Sequence, residues 1–373
     1  MLTENEIAYY SRQILVDEIG MDGQLKLSQS KVLVVGAGGL GCPVLQYLVA
    51  AGVGNIGIID GDVVDRSNLH RQLLFTVDSI GKNKAFEALK SLKKRNPFIE
   101  IKAFPYSLTS ENAIAIIDHY DIVVDCTDNY ETRFLVNDAT VLLNKPLVYG
   151  SIYRFEGQVS VFNYNDGPTY RCLFPEIPKA ASVTNCSTSG VIGVLPGIIG
   201  LLQANEVLKL ILGYGEVLSG KILVFNAQMN SFDLFVLNKN IEIDYSLFLK
   251  NDQLSAVNYV KSCGAGNQVV NIDMDTLLES ASTKEFLILD VRELHETPHF
   301  ISNGVINIPL GELGERLNEL PTSEKIAVVC KTGMRSLKAI EILQTKANVR
   351  ELRNLENGIN EQFILRWKNK QSH

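Results

Sequence analysis

The sequence predicts an α/β protein of two domains, a larger doubly wound one followed by a smaller one. Three observations carry this expectation. Apolar β-branched runs alternate with helix-length segments, a glycine-rich turn joins the first such run to a helix, and a weakly patterned stretch over 238–268 divides the chain. The length of 373 residues suits about two domains of ordinary size.

KVLVVGAGGLG (31–41) is an apolar run ending in a glycine turn, and PVLQYLVAAGVG after it reads as a helix closed by glycine. NIGIID (55–60) is the next strand and KAFEALKSLKKRN the next helix. IEIKAFPY and DIVVDCTDN (121–129) continue the alternation, so the first 150 residues read as doubly wound. From 151 to 235 two-faced strands (QVSVFNY, KILVFNA, FDLFVL) surround an apolar helix at 190–212, which suits an extension of the same sheet. Asn, Asp, Ser and Gly then mark a linker at 251–267, so that 1–250 and 268–373 form the two domains. In the second, FLILDV (286–291), GVINIPL (304–310) and KIAVVC (325–330) are short strands between helical stretches.

With 46% apolar and 21% charged residues and a mean hydropathy of +0.08, the chain has material for buried cores, which excludes disordered and collagen-like classes. Thirty-five basic against 42 acidic residues leave a charge of −7, and no Lys/Arg block marks a nucleic-acid or anionic-membrane partner. The six cysteines (42, 126, 172, 186, 263 and 330) are scattered singly, as expected of reduced thiols in a cytoplasmic protein. MLTENEIAYY lacks the pattern of a secretory leader, so none is expected. The longest apolar run, Gly190 to Leu202, falls short of the ~20 residues of a spanning helix. It reads as a buried helix.

Gly36, Gly38 and Gly41 form G-x-G-x-x-G between a strand and a helix, with Asp60 about 20 residues on. Such glycines let backbone N–H groups approach a phosphate at a positive helix terminus. Alone, this pattern also fits a dinucleotide-binding dehydrogenase or a tight turn without ligand. Asn68, Arg71, Gln72 and Lys84 follow, and two cations with two amides near one phosphate site suit a triphosphate whose α–β bond is broken. Asp128 ends a strand in DCTDN, where a carboxylate can hold Mg²⁺ or cap a helix.

GAGGLGCP, DGDVVDRSNLHRQ, CTDN, RFEGQVSVF, TYRCLFPE and SGVIGVLPGIIGLLQANEVLKLILG, in this order over about residues 8–235, resemble successive signatures of the ThiF/MoeB/HesA family. The resemblance implies a Rossmann-like domain with a mixed sheet that adenylates the C-terminal glycine of a ubiquitin-like sulfur carrier. It places Gly36, Gly38, Gly39, Gly41, Asp60, Asp62, Asn68, Arg71, Gln72, Lys84, Asp128 and Asn129 against ATP or its Mg²⁺, with Arg71 and Asp128 catalytic. Arg12, in SRQI, would reach ATP from a partner subunit, which implies a homodimer. Cys186, in TNCSTSG, stands where the family has a loop cysteine. It is either an acyl or persulfide carrier or a thiol without covalent duty. Most relatives hold a structural zinc with two Cys-x-x-Cys pairs, whereas here the first pair reads Thr169-Tyr170-Arg171-Cys172 and Cys263 is a doubtful remnant of the second. Two thiolates are half a tetrahedral site, so no zinc is expected, with packing in its place.

In the second domain, KIAVVC leads into Cys330-Lys331-Thr332-Gly333-Met334-Arg335-Ser336, followed by a helix. A cysteine at a strand end, cradled by loop N–H groups and a helix N-terminus, has a lowered pKa and can hold a persulfide. Four residues separate Cys330 from Arg335, one fewer than in cysteine phosphatases, and the tighter ring suits sulfur. With LDVRE (289–293) upstream, the domain resembles a rhodanese-type sulfurtransferase, which makes Cys330 and Arg335 catalytic and leaves Asp290 and Arg292 as braces. The leading expectation is a fused adenylyltransferase and sulfurtransferase that uses MgATP, a carrier ending in Gly-Gly, and thiosulfate or a cysteine desulfurase as sulfur donor. Two alternatives remain open at this point: an NAD-dependent dehydrogenase with a sulfur-sensing domain, and a non-catalytic carrier-binding scaffold.

Overall fold

The computed structural model describes residues 1–175, 190–243, 245, 254, 270–283, 286–321, 325–346, 351–355 and 358–371. The chain divides into two compact units, Met1–Ser262 and Cys263–His373.

The larger unit is built on eight strands: β1 Lys31–Val35, β2 Asn55–Ile59, β3 Glu100–Phe104, β4 Ile122–Asp125, β5 Leu147–Tyr153, β6 Glu156–Phe162, β7 Lys221–Asn226 and β8 Ser231–Val236. They form one sheet in the order β3-β2-β1-β4-β5-β6-β7-β8. The first five run parallel, and β6, β7 and β8 add on antiparallel, so the two-faced strands extend the same sheet. β1 shows why both faces are covered. Val32 and Val34 point into a core shared with helices α3 (Gly41–Ala51) and α4 (Lys84–Lys93), whereas Leu33 and Val35 point into a second core shared with α5 (Ala113–Ile117) and α6 (Tyr130–Leu142). All four side chains are essentially inaccessible, and each contributes roughly 1.5–3 kcal/mol by leaving water. Two helices, α1 (Glu4–Ile14) and α2 (Gly20–Gln29), precede β1, and a short α7 (Tyr170–Leu173) follows β6.

The apolar helix, α8, spans Val194–Leu212, longer than the apolar run alone indicated. Its 19 residues approach the length of a membrane span, so length does not separate the two readings. Packing does. α8 lies against α3, β5 and β6, and it buries polar groups that bond inside the protein. Gln203 Nε2 donates to the Asp125 carbonyl at 2.8 Å, and Glu206 accepts from Leu218 N at 2.9 Å and pairs with Lys209.

The smaller unit is a five-stranded parallel sheet, ordered β11-β10-β12-β13-β9. Its strands are β9 Val270–Ile272, β10 Leu287–Asp290, β11 Val305–Asn307, β12 Lys325–Val329 and β13 Glu351–Leu355. Helices α9 (Met274–Thr283) and α11 (Glu361–Gln371) cover one face through Leu277, Phe363 and Trp367. The third, α10 (Met334–Lys346), covers the other through Ile340 and Leu343. Of the linker expected at 251–267, Leu254 is described, and it is buried in the larger unit's core.

Candidate active sites

The order of the large sheet changes direction between β1 and β4, and a cavity of about 750 Å³ opens there, at their C-terminal ends. Gly36 leaves β1 with φ +94°, and a Cβ on it would lie 2.8 Å from the Cys126 carbonyl oxygen. Gly41 opens α3 so close to the turn that its Cβ would lie 2.0 Å from the Gly36 oxygen. Only glycine allows this approach. No side chain caps α3, which suits a terminus that receives an anion. Asp60 pins the turn, its Oδ2 accepting from Ala37 N at 2.8 Å and its Oδ1 from Asp62 N at 2.9 Å. Burial pushes the Asp60 carboxyl up, against the pull of the nearby Lys84 cation.

Lys84, buried at the start of α4, places Nζ 2.8 Å from Asp62 Oδ2. Asn83 caps that helix and donates to the carbonyls of Asp60 and Asp62, tying α4 to the strand end. On the opposite wall, Arg71 Nη1 donates to Ser67 O at 3.0 Å, beside Asn68 and His70. Gln72 is 3% exposed and its Oε1 has no hydrogen-bond partner, although it lines the cavity. A buried acceptor of this kind calls for a ligand donor.

The turn from β4 to α6 is clamped from two sides. Asp125 Oδ1 accepts from Thr127 N (2.9 Å) and Thr127 Oγ1 (2.6 Å), while Arg133 Nη2 donates to the Thr127 carbonyl at 2.7 Å. Asn129, not Asp128, caps α6 by accepting from Thr132 N at 2.8 Å, which removes the capping explanation for Asp128 on the cavity wall. Asp125 is fully buried, and burial pushes its carboxyl up against the pull of Arg133. For Arg133, burial opposes the charge, but Tyr149 and Asp125 outweigh it and raise the pKa, and the guanidinium sits 5.1 Å from the Tyr149 ring centroid. Sequence reasoning missed Thr127, Arg133 and His70. Arg133 stands one helical turn after Asn129, just before the apolar Phe134-Leu135-Val136, which was the available signal.

The cavity thus gathers Gly36, Gly38, Gly39, Asp60, Asp62, Asn68, Arg71, Gln72, Lys84, Asp128 and Asn129. Gly41 shapes the turn without lining the cavity, and Arg12 lies exposed in the last turn of α1, away from it. Cys186 falls outside the described residues.

At the position of the first Cys-x-x-Cys pair, Cys172 Sγ accepts from Thr169 N and Asn240 N, both at 3.3 Å, and Thr169 Oγ1 bonds to the Tyr245 hydroxyl. Buried Arg171 forms a two-pronged pair with Asp138 (2.7 and 2.6 Å) over the Phe134 ring. One thiol among hydroxyls and amides is not a zinc donor set. Among the described residues no three His, Cys, Asp or Glu gather to hold a metal. Cys263 lies outside the described residues.

In the smaller unit Cys330 follows β12 and is buried. Its Sγ accepts from Gly333 N at 3.1 Å and lies 3.4 Å from Ser336 Oγ. Burial alone would raise its pKa, but the Ser336 hydroxyl and the N–H groups of Thr332, Ser336 and Arg335 outweigh it, and the thiol is lowered. Asp290 and Arg292 form a buried two-pronged pair, and Arg292 also donates to Pro298 O at 3.1 Å. Arg335 is engaged by Glu296, Nη1 to Oε1 at 2.5 Å and Nη2 to Oε2 at 2.8 Å.

A glycine-turn cavity of about 750 Å³ at a sheet switch point in one unit, with a cysteine cradled by N–H donors in the other, defines a class of enzyme that activates a substrate through a nucleotide and carries sulfur. The chain belongs to the ThiF family, which matches residues 10–242, and a rhodanese-like domain matches residues 273–362. The adenylyltransferase and sulfurtransferase MOCS3 of Aedes aegypti is 42% identical over 92% of this chain and 82% of its own. The sulfur carrier protein adenylyltransferase of Thermus thermophilus is 50% identical over 64% of this chain and 90% of its own. A crystal structure of E. coli MccB with ATP shares the fold of the larger unit, with a TM-score of 0.55 and 23% identity over 64% of this chain and 74% of that one. The chain is an ATP-using adenylyltransferase and a sulfurtransferase.

Proposed function

We propose that the larger unit adenylates the C-terminal glycine of a ubiquitin-like sulfur carrier ending in Gly-Gly, and that the smaller unit passes sulfur from a Cys330 persulfide to give a thiocarboxylate. The observation that carries this reading is the convergence of Asp60, Arg71, Gln72, Lys84 and Asp128 on one cavity, in the same chain as a cysteine cradle. Asp60 takes the ribose hydroxyls, the 36–41 turn and the α3 terminus take phosphate, and Arg71 and Lys84 meet the charge that develops on leaving pyrophosphate. Asp128, on the cavity wall, would hold Mg²⁺ with the nucleotide. The carrier carboxylate attacks the α-phosphorus and pyrophosphate leaves. The terminal sulfur of the Cys330 persulfide then attacks the acyl carbon, AMP leaves, and a second thiol cleaves the acyl disulfide, releasing the thiocarboxylate and leaving a disulfide for a thiol reductant. Cys186 is the sequence candidate for that thiol.

A dehydrogenase reading rests on the glycine turn alone and does not account for Arg71, Lys84 and Asp128 on one cavity. A scaffold reading leaves the cradled Cys330 thiol without a task. Arg12, exposed on α1 outside its own chain's cavity, supports a homodimer in which it serves the partner's site. Free Cys42, Cys126, Cys172 and Cys330 support a cytoplasmic protein. Purified protein mixed with a carrier, MgATP and a sulfur donor should release AMP and pyrophosphate. Neither product, with a carrier known to be competent, would sink the adenylation reading.

A further inference from the structure

Glu296 occupies both terminal nitrogens of Arg335, which stands at the start of α10, five residues after Cys330. The pair is 20% and 29% exposed at its side chains, and Arg335 lies close enough to Cys330 for the thiolate charge to act on it. Arg292, which also serves this part of the unit, is committed to Asp290 and the Pro298 carbonyl. We propose that Glu296 sets the choice of sulfur donor, disfavouring dianionic thiosulfate and favouring an organic persulfide. This rests on the reading of Cys330 as the sulfur-carrying residue.

The reasoning is electrostatic. With thiosulfate, the Cys330 thiolate attacks the outer sulfur, the S–S bond breaks, sulfite leaves with both bonding electrons, and a persulfide anion remains on Cys330. A dianion must therefore approach an anion, and in a buried site that repulsion is far stronger than in water. An open guanidinium fork would offset it by binding two sulfonate oxygens side by side. Here Glu296 fills the terminal Nη1–Nη2 edge of the fork and neutralises its charge. A persulfide R–S–SH offers no oxyanion: the thiolate attacks its outer sulfur, the S–S bond breaks and RS⁻ departs, with no demand on Arg335.

The test uses the full chain. Wild type, Glu296→Gln and Glu296→Ala are compared with thiosulfate and with a neutral alkyl persulfide as donors, cyanide as acceptor, and inhibition by sulfite as a separate readout of anion binding. Opening the fork should lower the KM for thiosulfate and the sulfite inhibition constant by about ten-fold, while turnover with the persulfide changes by less than about two-fold. An unmoved thiosulfate KM and unmoved sulfite inhibition, or an equal change for both donors, would overturn the proposal while leaving the transfer reading intact. Wild type that takes sulfur from neither donor would overturn both.

Discussion

At Cys330 burial favours the neutral thiol, the Ser336 hydroxyl and the loop N–H groups favour the thiolate, and the donors win. Since the thiolate is the reactive form, alkylation of Cys330 should rise with pH through a midpoint below the ordinary thiol value of about 8.5. Ser336→Ala removes one donor and moves that midpoint up, so at pH 7 the variant should react more slowly. A midpoint that does not move would show that Ser336 plays no part. Asp125 and Arg133 are positioning residues that hold Thr127 from opposite sides, and Arg133 also lines the cavity. Arg133→Met removes both the cation that offsets burial of the Asp125 carboxyl and the donor to the Thr127 carbonyl, and a buried polar group left without its partner is destabilising. It should lower the melting temperature and raise the KM for MgATP. The conservative Arg133→Lys should restore part of the stability and less of the KM, because an ammonium does not reproduce the guanidinium's fixed geometry. Asp128 was legible in the sequence because strand ends of open α/β sheets bind ligands, whereas the residues that aim it were not, because their role exists only once Thr127 is in its turn.

Among the elements, α3 and α8 each carry a glycine that tests the packing, Gly41 enclosed in α3 and Gly197 open in α8. Gly41→Ala forces a methyl group against the Gly36 carbonyl, and should displace the phosphate turn and abolish measurable ATP binding in calorimetry. Gly197, in α8, has open space where a Cβ would go. Gly197→Ala should therefore leave ATP binding intact and raise stability by about 0.5–1 kcal/mol, the usual gain over glycine inside a helix. The strands with clear β-branched runs were readable in the sequence. Strand β5 was not, because LVYGSIY is broken by Gly150, and the reason for that glycine is tertiary: a Cβ there would meet Gln203 of α8 at 2.3 Å. The polar β13 (ELRNL) and the three-residue β9 went unread for want of a pattern. Around α7, Thr169, Cys172, Asn240 and Tyr245 are joined by hydrogen bonds, and no zinc is expected there. Metal analysis of the purified protein should find well under one zinc per chain, and chelation should leave its melting temperature unchanged. One zinc per chain, lost with a drop in stability, would contradict this.

Across the whole molecule, each unit makes what the other consumes, an acyl-adenylate in one and a persulfide in the other. The two-unit α/β architecture and the positions of both candidate sites were readable from alternating runs, the glycine turn and the loop after KIAVVC. The occupied Arg335 was not readable, since Glu296 lies 39 residues away and only folding joins them. The most direct test of the account is the intact mass of a Gly-Gly carrier after incubation with this protein, MgATP, a persulfide donor and a thiol reductant. The account predicts exchange of one oxygen for one sulfur at the carrier terminus, with Cys330→Ala still releasing AMP but leaving the carrier mass unchanged. A carrier that gains sulfur equally well with Cys330→Ala, or that gains none while AMP accumulates with the wild type, would contradict it.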